Sequence, residues 1–167
     1  LEPFWNPKRT KIGKNRDLIL VEVDQGRESV FFLKPLKYMN RSGEVVQHVI
    51  SKYRLDPREM MVMHDEVDLD FARIQLKPGR GSAGHRGIQS IIDRLGKNFY
   101  RMRLGVGRSD RLGTADYVLK PRPTGDYTEF IGAAVDAIET VLRLGFEKAM
   151  QAVNADSKSE EVNQKPK

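Results

Sequence analysis

The sequence predicts an α/β fold: a single domain with a mixed, mostly parallel sheet flanked by helices. Three observations carry this. Short apolar runs bounded by charge alternate with stretches of helical periodicity. The 167 residues are 39% hydrophobic and 31% charged, which suits one ordinary globular domain with a real core. A glycine-rich stretch, "KPGRGSAGHRG" at residues 77–87, stands between a run that reads as a strand and one that reads as a helix.

Taken in order, residues 18–23 (LILVEV) and 29–36 (SVFFLKPL) read as strands joined by the turn "DQGRE", most simply as a hairpin. Val45, Val46, Val49, Ile50 and Tyr53 recur at helical spacing, with Asn40 or Ser42 as the cap and Pro57 closing the connection. Residues 60–66 (MMVMHDE) form a short buried strand ending in charge, and 72–78 (ARIQLKP) alternate like a half-exposed one. After the glycine loop, Ile88, Ile91, Ile92 and Leu95 mark one face of a helix that stops at Gly96, and 100–107 (YRMRLGVG) is another strand. A long last helix is expected from about Tyr127 to Val153, within a domain spanning residues 1–154. Residues 155–167 carry three acids and three bases with almost nothing to bury, so a disordered polar tail is expected there.

Charge is concentrated. Between Phe71 and Arg111 ten Lys or Arg face two acids, a local +8 in a chain whose net charge is +6. Such a block around flexible backbone fits a polyanionic partner, since each phosphate neutralised releases counterions. Its bland counterpart is a solvated basic surface. No apolar run approaches the roughly 20 residues of a membrane span. The start, "LEPFWNPKRT", has no apolar signal core. The absence of cysteine excludes disulfides and thiolate zinc sites, and the cytoplasm is the expected location.

Gly79, Gly81 and Gly84 spell the dinucleotide pattern G-x-G-x-x-G, and Asp110 could serve the ribose. Lys77, Arg80 and Arg86 crowd that loop, however, and a dinucleotide turn does not need them. In "VMHDEVDLD", strand alternation places Asp65 on the face opposite His64 and Glu66. A carboxylate there could orient a histidine base, or it could simply cap a turn. His64, Glu66 and Asp68 make a poor transition-metal set, so no metal is expected. Of the three histidines, His48 points away from its helix's apolar stripe. His85 opens a helix, whose N-terminus favours the neutral ring, suited to hydrogen bonding a sugar, amide or carbonyl.

Four blocks in this order and spacing, "LKPLKYMNRSGEVV", "MVMHDEVDLD", "KPGRGSAGHRGIQSIIDRLG" and "FYRMRLGVGR", resemble bacterial-type peptidyl-tRNA hydrolases, over roughly residues 8–153. The resemblance implies metal- and cofactor-free hydrolysis of the ester between a peptide and the 3′ ribose of tRNA. It implies a monomer whose partner is the tRNA acceptor stem and 3′ end, with no membrane or DNA partner. Tyr38 and Asn40 would contact the acylated end, with the Asn40 amide donating to the oxyanion. Met39 would pack in the peptide groove. Asp65 would orient the catalytic histidine, His85 would contact the peptide or 3′ adenosine, and Lys77 and Arg103 would clamp the tRNA 5′ phosphate.

Two departures stand out. Where the family has His-Asn-Gly, this chain has His85, Arg86 and Gly87, so a cation able to grip phosphate replaces a substrate-reading amide. The family's N-terminal strand and catalytic-histidine block have no counterpart before His48. The expectation is therefore a piece of a longer hydrolase, inactive as it stands for want of its general base. The alternatives are a non-catalytic RNA-binding relative, like the plant organellar splicing factors, or a base role taken over by His64 or His85.

Overall fold

The computed structural model describes residues 7–12, 17–24, 29–107 and 127–163. These fall into two compact units, Leu1–Pro57 with Arg80–Asn98, and Arg58–Gly79 with Phe99–Lys167. Asp110, most of the "DQGRE" turn and the last four residues lie outside the described residues.

In the first unit, β1 (Pro7–Ile12), β2 (Leu18–Asp24) and β3 (Ser29–Pro35) form an antiparallel sheet in that order. The expected pair β2 and β3 is in register from Leu18 opposite Pro35 to Asp24 opposite Ser29. β1 was not anticipated: its sequence, PKRTKI, has too much charge to show apolar alternation, a composition that suits an edge strand. Helix α1 (Ser42–Tyr53) lays Val45 and Val49 on Leu18 and Leu20 of β2, with Phe31, Leu33 and Tyr53 around them. Burying each such side chain contributes about 1.5–3 kcal/mol. Helix α2 (Arg86–Leu95) packs on α1 so closely that a Cβ at Gly43 would overlap the Ser90 carbonyl oxygen, and Gly43 N–H donates to Ser90 Oγ at 3.0 Å.

In the second unit the sheet order is β4 (Met61–Glu66), β6 (Tyr100–Gly105), β5 (Ile74–Pro78). β4 runs parallel to β6 and β5 antiparallel, so this sheet is mixed as expected. The balance differs from a mostly parallel sheet: among the described residues only β4 and β6 pair in parallel. Strands joined by short turns, as β2 and β3 are, can only return antiparallel. One face carries Ile74, Leu76 and Met102, against which Ala137 of α3 (Tyr127–Leu144) and Phe146 and Ala149 of α4 (Phe146–Asn163) pack. Tyr100 stacks on Phe146 with centroids 3.8 Å apart.

The single last helix expected from the apolar spacing is two helices. Gly145, at φ 77°, takes the left-handed conformation that closes α3, and α4 starts at the next residue. α4 also continues helically to Asn163, through residues expected to be disordered. Propagating a helix already nucleated on a core costs far less than starting one, so low apolar content alone does not stop it.

The edge of β5 is closed by a side chain. Asn154 of α4 accepts from the Leu76 N–H through Oδ1 at 2.9 Å and donates to the Leu76 carbonyl through Nδ2 at 3.0 Å, imitating a neighbouring strand. Asn154→Ala leaves both backbone groups of Leu76 without these partners. The expected cost is about 1–3 kcal/mol in urea-induced unfolding, and a loss below 0.5 kcal/mol would show that the latch is incidental.

Candidate functional site

The sequence-nominated residues divide between the units: Tyr38, Met39, Asn40, His85 and Arg86 belong to the first, and Asp65, Lys77 and Arg103 to the second. Each group is built differently.

In the first unit, Met39–Arg41 form a 3-10 turn that feeds α1, with Arg41 N–H donating to the Tyr38 carbonyl at 2.8 Å. The side chains of this turn face outward: Tyr38 is 82% and Met39 55% exposed, and Asn40 is exposed too. Neither Asn40 nor Ser42 caps α1, whose N-cap is Arg41 with no side-chain cap bond. Glu44, in the first turn, supplies the negative charge that a helix start favours. Its carboxylate holds both flanks of the exposed turn, accepting from Arg41 Nε at 3.0 Å and Nη2 at 2.8 Å and from Lys37 Nζ at 3.1 Å, with Arg94 of α2 at 3.6 Å. The hydrogen bonds from Arg41 and then Lys37 lower the Glu44 carboxyl from 4.5 to about 2. Nothing in the sequence reading singled out Glu44; the Arg41 spacing at i,i+3 was a legible hint, the Lys37 contact was not.

His85 is the N-cap of α2, and its Nδ1 accepts from the N–H groups of Gly87 at 3.1 Å and Ile88 at 3.2 Å. An accepting Nδ1 carries no proton, so Nε2 of the neutral ring carries it. The same two amides are those an anion at this helix start would need, so the dinucleotide cradle suggested by the glycine spacing is occupied by the protein's own imidazole. Met39 lies against the start of α2, where its sulfur would overlap a Cβ at Gly87, and the His85 ring stands 3.0 Å from that same point. Met39 and His85 are thus brought together around Gly87, while Arg86 is exposed beside them.

In the second unit, alternation separates the nominated groups. On β4, Glu66 is in register with Gly105 of β6 and His64 with Arg103, so His64, Glu66, Arg101 and Arg103 share the face opposite the Leu76 and Met102 core. Gln75 and Lys77 of β5, in register with Arg103 and Arg101, join it. Asp65 is on the other face and partly buried, as its position predicted. The half-buried Arg103 pairs with the buried Glu66: Nε is 2.8 Å and Nη2 2.7 Å from Oε2, at 17% and 9% side-chain exposure. Nη1 donates to Gln75 Oε1 at 2.5 Å. Burial opposes ionisation of Glu66, but the Arg103 hydrogen bond and the Asp68 N–H outweigh it and hold the carboxyl below its ordinary value. Burial, then the Arg103 charge, pulls Arg101 below its ordinary value, with Glu66 opposing. Glu66 and Gln75 were missed as partners of Arg103 because the contact requires the strand register.

Among the described residues, no group of three or more His, Asp or Glu side chains is placed to hold a metal ion, and no helix is long and apolar enough to cross a membrane.

A family model described as peptidyl-tRNA hydrolase matches residues 6–162. The chain is 40% identical over 141 residues to the peptidyl-tRNA hydrolase of Rhodococcus opacus, covering 80% of this chain and 74% of that one. It is 42% identical over 130 residues to that of Gloeobacter violaceus, covering 75% and 66%. The crystal structure of peptidyl-tRNA hydrolase from Acinetobacter baumannii superposes with a TM-score of 0.78 at 30% identity, over 88% of this chain and 77% of that one.

Two tests address the geometry of the first unit. His85→Ala is expected to destabilise the protein by about 1 kcal/mol in urea titration while His85→Asn, a competent cap, restores most of it; equal losses would reject the capping role. The Glu44 grip, resting on a lowered carboxyl, is expected to persist below pH 4.5 and to be lost only as pH falls toward 2. A Glu44 side-chain NMR titration midpoint near 4.5 would contradict it.

Proposed function

This chain belongs to the peptidyl-tRNA hydrolase family, and on that premise we propose that its residues serve hydrolysis of the ester joining a peptide to the tRNA 3′ ribose. In that reaction a water oxygen bonds to the ester carbonyl carbon, the bond to the ribose oxygen breaks, and the proton passes to the leaving oxygen. The observation that carries the residue assignment is the exposed Tyr38-Met39-Asn40 turn, gripped on both flanks by Glu44. A fixed turn can present the Asn40 amide as a preorganised donor to an oxyanion, which is where such donors gain most. Tyr38 and Met39 offer surface for the acylated end, and the Nε2–H of His85 is a donor for an amide or ribose oxygen. Arg86 supplies charge for a phosphate contact that positions rather than reads sequence, with Lys77 and Arg103 directed at the 5′ phosphate.

Asp65 is assigned to orienting the general base. That base is none of the three histidines of this chain. His48 is exposed on α1. His85 commits its unprotonated nitrogen to the α2 cap, so it has no lone pair for a water proton. His64 is only 7% exposed, with Nδ1 donating to the Asp65 carbonyl at 2.7 Å, and a base needs its water within about 3 Å. The same observation supports a second reading for the chain alone, a tRNA-binding protein without turnover.

N-acetyl-aminoacyl-tRNA separates the readings. The chain alone is expected to bind it without cleaving it, with affinity falling steeply as salt rises. A chimera with the N-terminal segment of the Rhodococcus opacus relative placed before Leu1 is expected to cleave it. In that chimera Asp65→Ala should lower kcat by about 100-fold or more and change tRNA affinity less than about twofold. Cleavage by the chain alone would overturn the base assignment, and equal loss of turnover and binding would reject Asp65 as an orienting group.

A further inference from the structure

Arg103 cannot move freely on its face of the sheet. Its guanidinium has five N–H groups, and three are engaged: Nε–H and one Nη2–H by Glu66 Oε2, and one Nη1–H by Gln75 Oε1. The carboxylate that holds it is itself fixed, because its other oxygen, Oε1, accepts from the Asp68 backbone N–H at 3.2 Å. The remaining two N–H groups, one on each Nη, make the end-on edge of the fork, whose spacing matches two oxygens of one phosphate.

We infer that Glu66, with Gln75, is a positioning residue that sets the selectivity of Arg103 for a terminal phosphate monoester over the phosphodiesters of an RNA chain. This rests on Arg103 being the phosphate contact proposed above. Glu66 places a negative charge on a face that also carries Arg101, Arg103 and Lys77, and so lowers the general attraction of that face for any RNA. In exchange it aims one guanidinium edge. Both a monoester and an internal diester can meet that edge bidentately, but the monoester carries up to two charges against one and has no second ester group to obstruct its approach. Were the pair only a structural ion bridge, losing it would weaken all RNA binding alike. As a selectivity device, losing it moves two quantities in opposite directions.

The test uses the chain itself and needs no turnover: dissociation constants for an acceptor-stem RNA hairpin carrying a 5′ phosphate and for the same hairpin dephosphorylated, by fluorescence anisotropy at one fixed salt concentration. The wild-type chain is expected to prefer the phosphorylated hairpin about tenfold. Glu66→Gln should lower that preference at least about threefold, toward one, while affinity for the dephosphorylated hairpin stays level or rises. Gln75→Ala, which leaves the ion pair intact, should shift the preference in the same direction by less. It keeps the inference testable should thermal melting show that Glu66→Gln is unfolded.

Arg103→Gln separates the two layers of the argument. If the wild-type preference exists and Arg103→Gln leaves it intact, Arg103 is not the phosphate contact and the underlying reading fails. If Arg103→Gln abolishes the preference but Glu66→Gln and Gln75→Ala keep it, the positioning role is overturned and the contact survives. A parallel fall for both hairpins in the folded variants, or no wild-type preference at all, also overturns the inference.

Discussion

The cost of taking a carboxylate out of water shapes the second unit. Glu66 stands at the end of β4 with its side chain almost wholly buried, and burial by itself opposes its charge. The charge survives because Arg103, two strand positions from Arg101 on the neighbouring strand, reaches across with two nitrogens on one oxygen while the Asp68 amide takes the other. Removing one partner of such a pair leaves the other buried and uncompensated, which is far costlier than never having had the pair. The β4–β6 register is therefore tied to a charge pair on one face as well as to Leu76 and Met102 on the other.

The first unit solves a different problem, that of exposed helix starts. Each helix leaves backbone N–H groups without internal partners at its first turn. At α2 the imidazole of His85 takes two of them. At α1 the N-cap residue Arg41 makes no such bond; Ser90 Oγ of α2 takes the Gly43 N–H, and Glu44 places a carboxylate in the first turn while gripping Lys37 and Arg41. The two solutions meet on one feature: the 3-10 turn held by Glu44 carries Met39, which lies against Gly87 beside the His85 ring. Arg94 of α2 reaches the same Glu44 carboxylate, so the turn and both helices share an anchor.

Local rules were legible in the sequence, and long-range pairings were not. Alternation correctly set Asp65 apart from His64 and Glu66, and Gly96 ended α2 where the apolar stripe stopped. Gly145 was overlooked because apolar residues at helical spacing continue on both sides of it, and periodicity does not see a left-handed residue between two helices. The Asn154 latch joins residues 78 positions apart, so no local window contains it. The quoted family blocks contain the Tyr38–Asn40 turn, His85 and Arg103, but the cap that the His85 ring makes was not read from them. Glu66, Gln75 and Glu44 became visible only when register and helix packing placed them on those residues.

Arg86 poses the reverse case, a residue whose position does not help the helix it begins. It is the first residue of α2, where the partial positive charge of the helix start disfavours a cation by about 0.3–1 kcal/mol. Glu44 at the corresponding end of α1 has the favoured sign. Helix stability therefore gives no reason for an arginine at position 86. An approaching phosphate changes the sign of the balance, because the helix start and the guanidinium then attract the same anion, and the His85 ring keeps that anion from settling on the Gly87 and Ile88 amides. Were a phosphate to meet Arg86 as proposed, the exposed guanidinium would hold it from the side and not at the helix terminus.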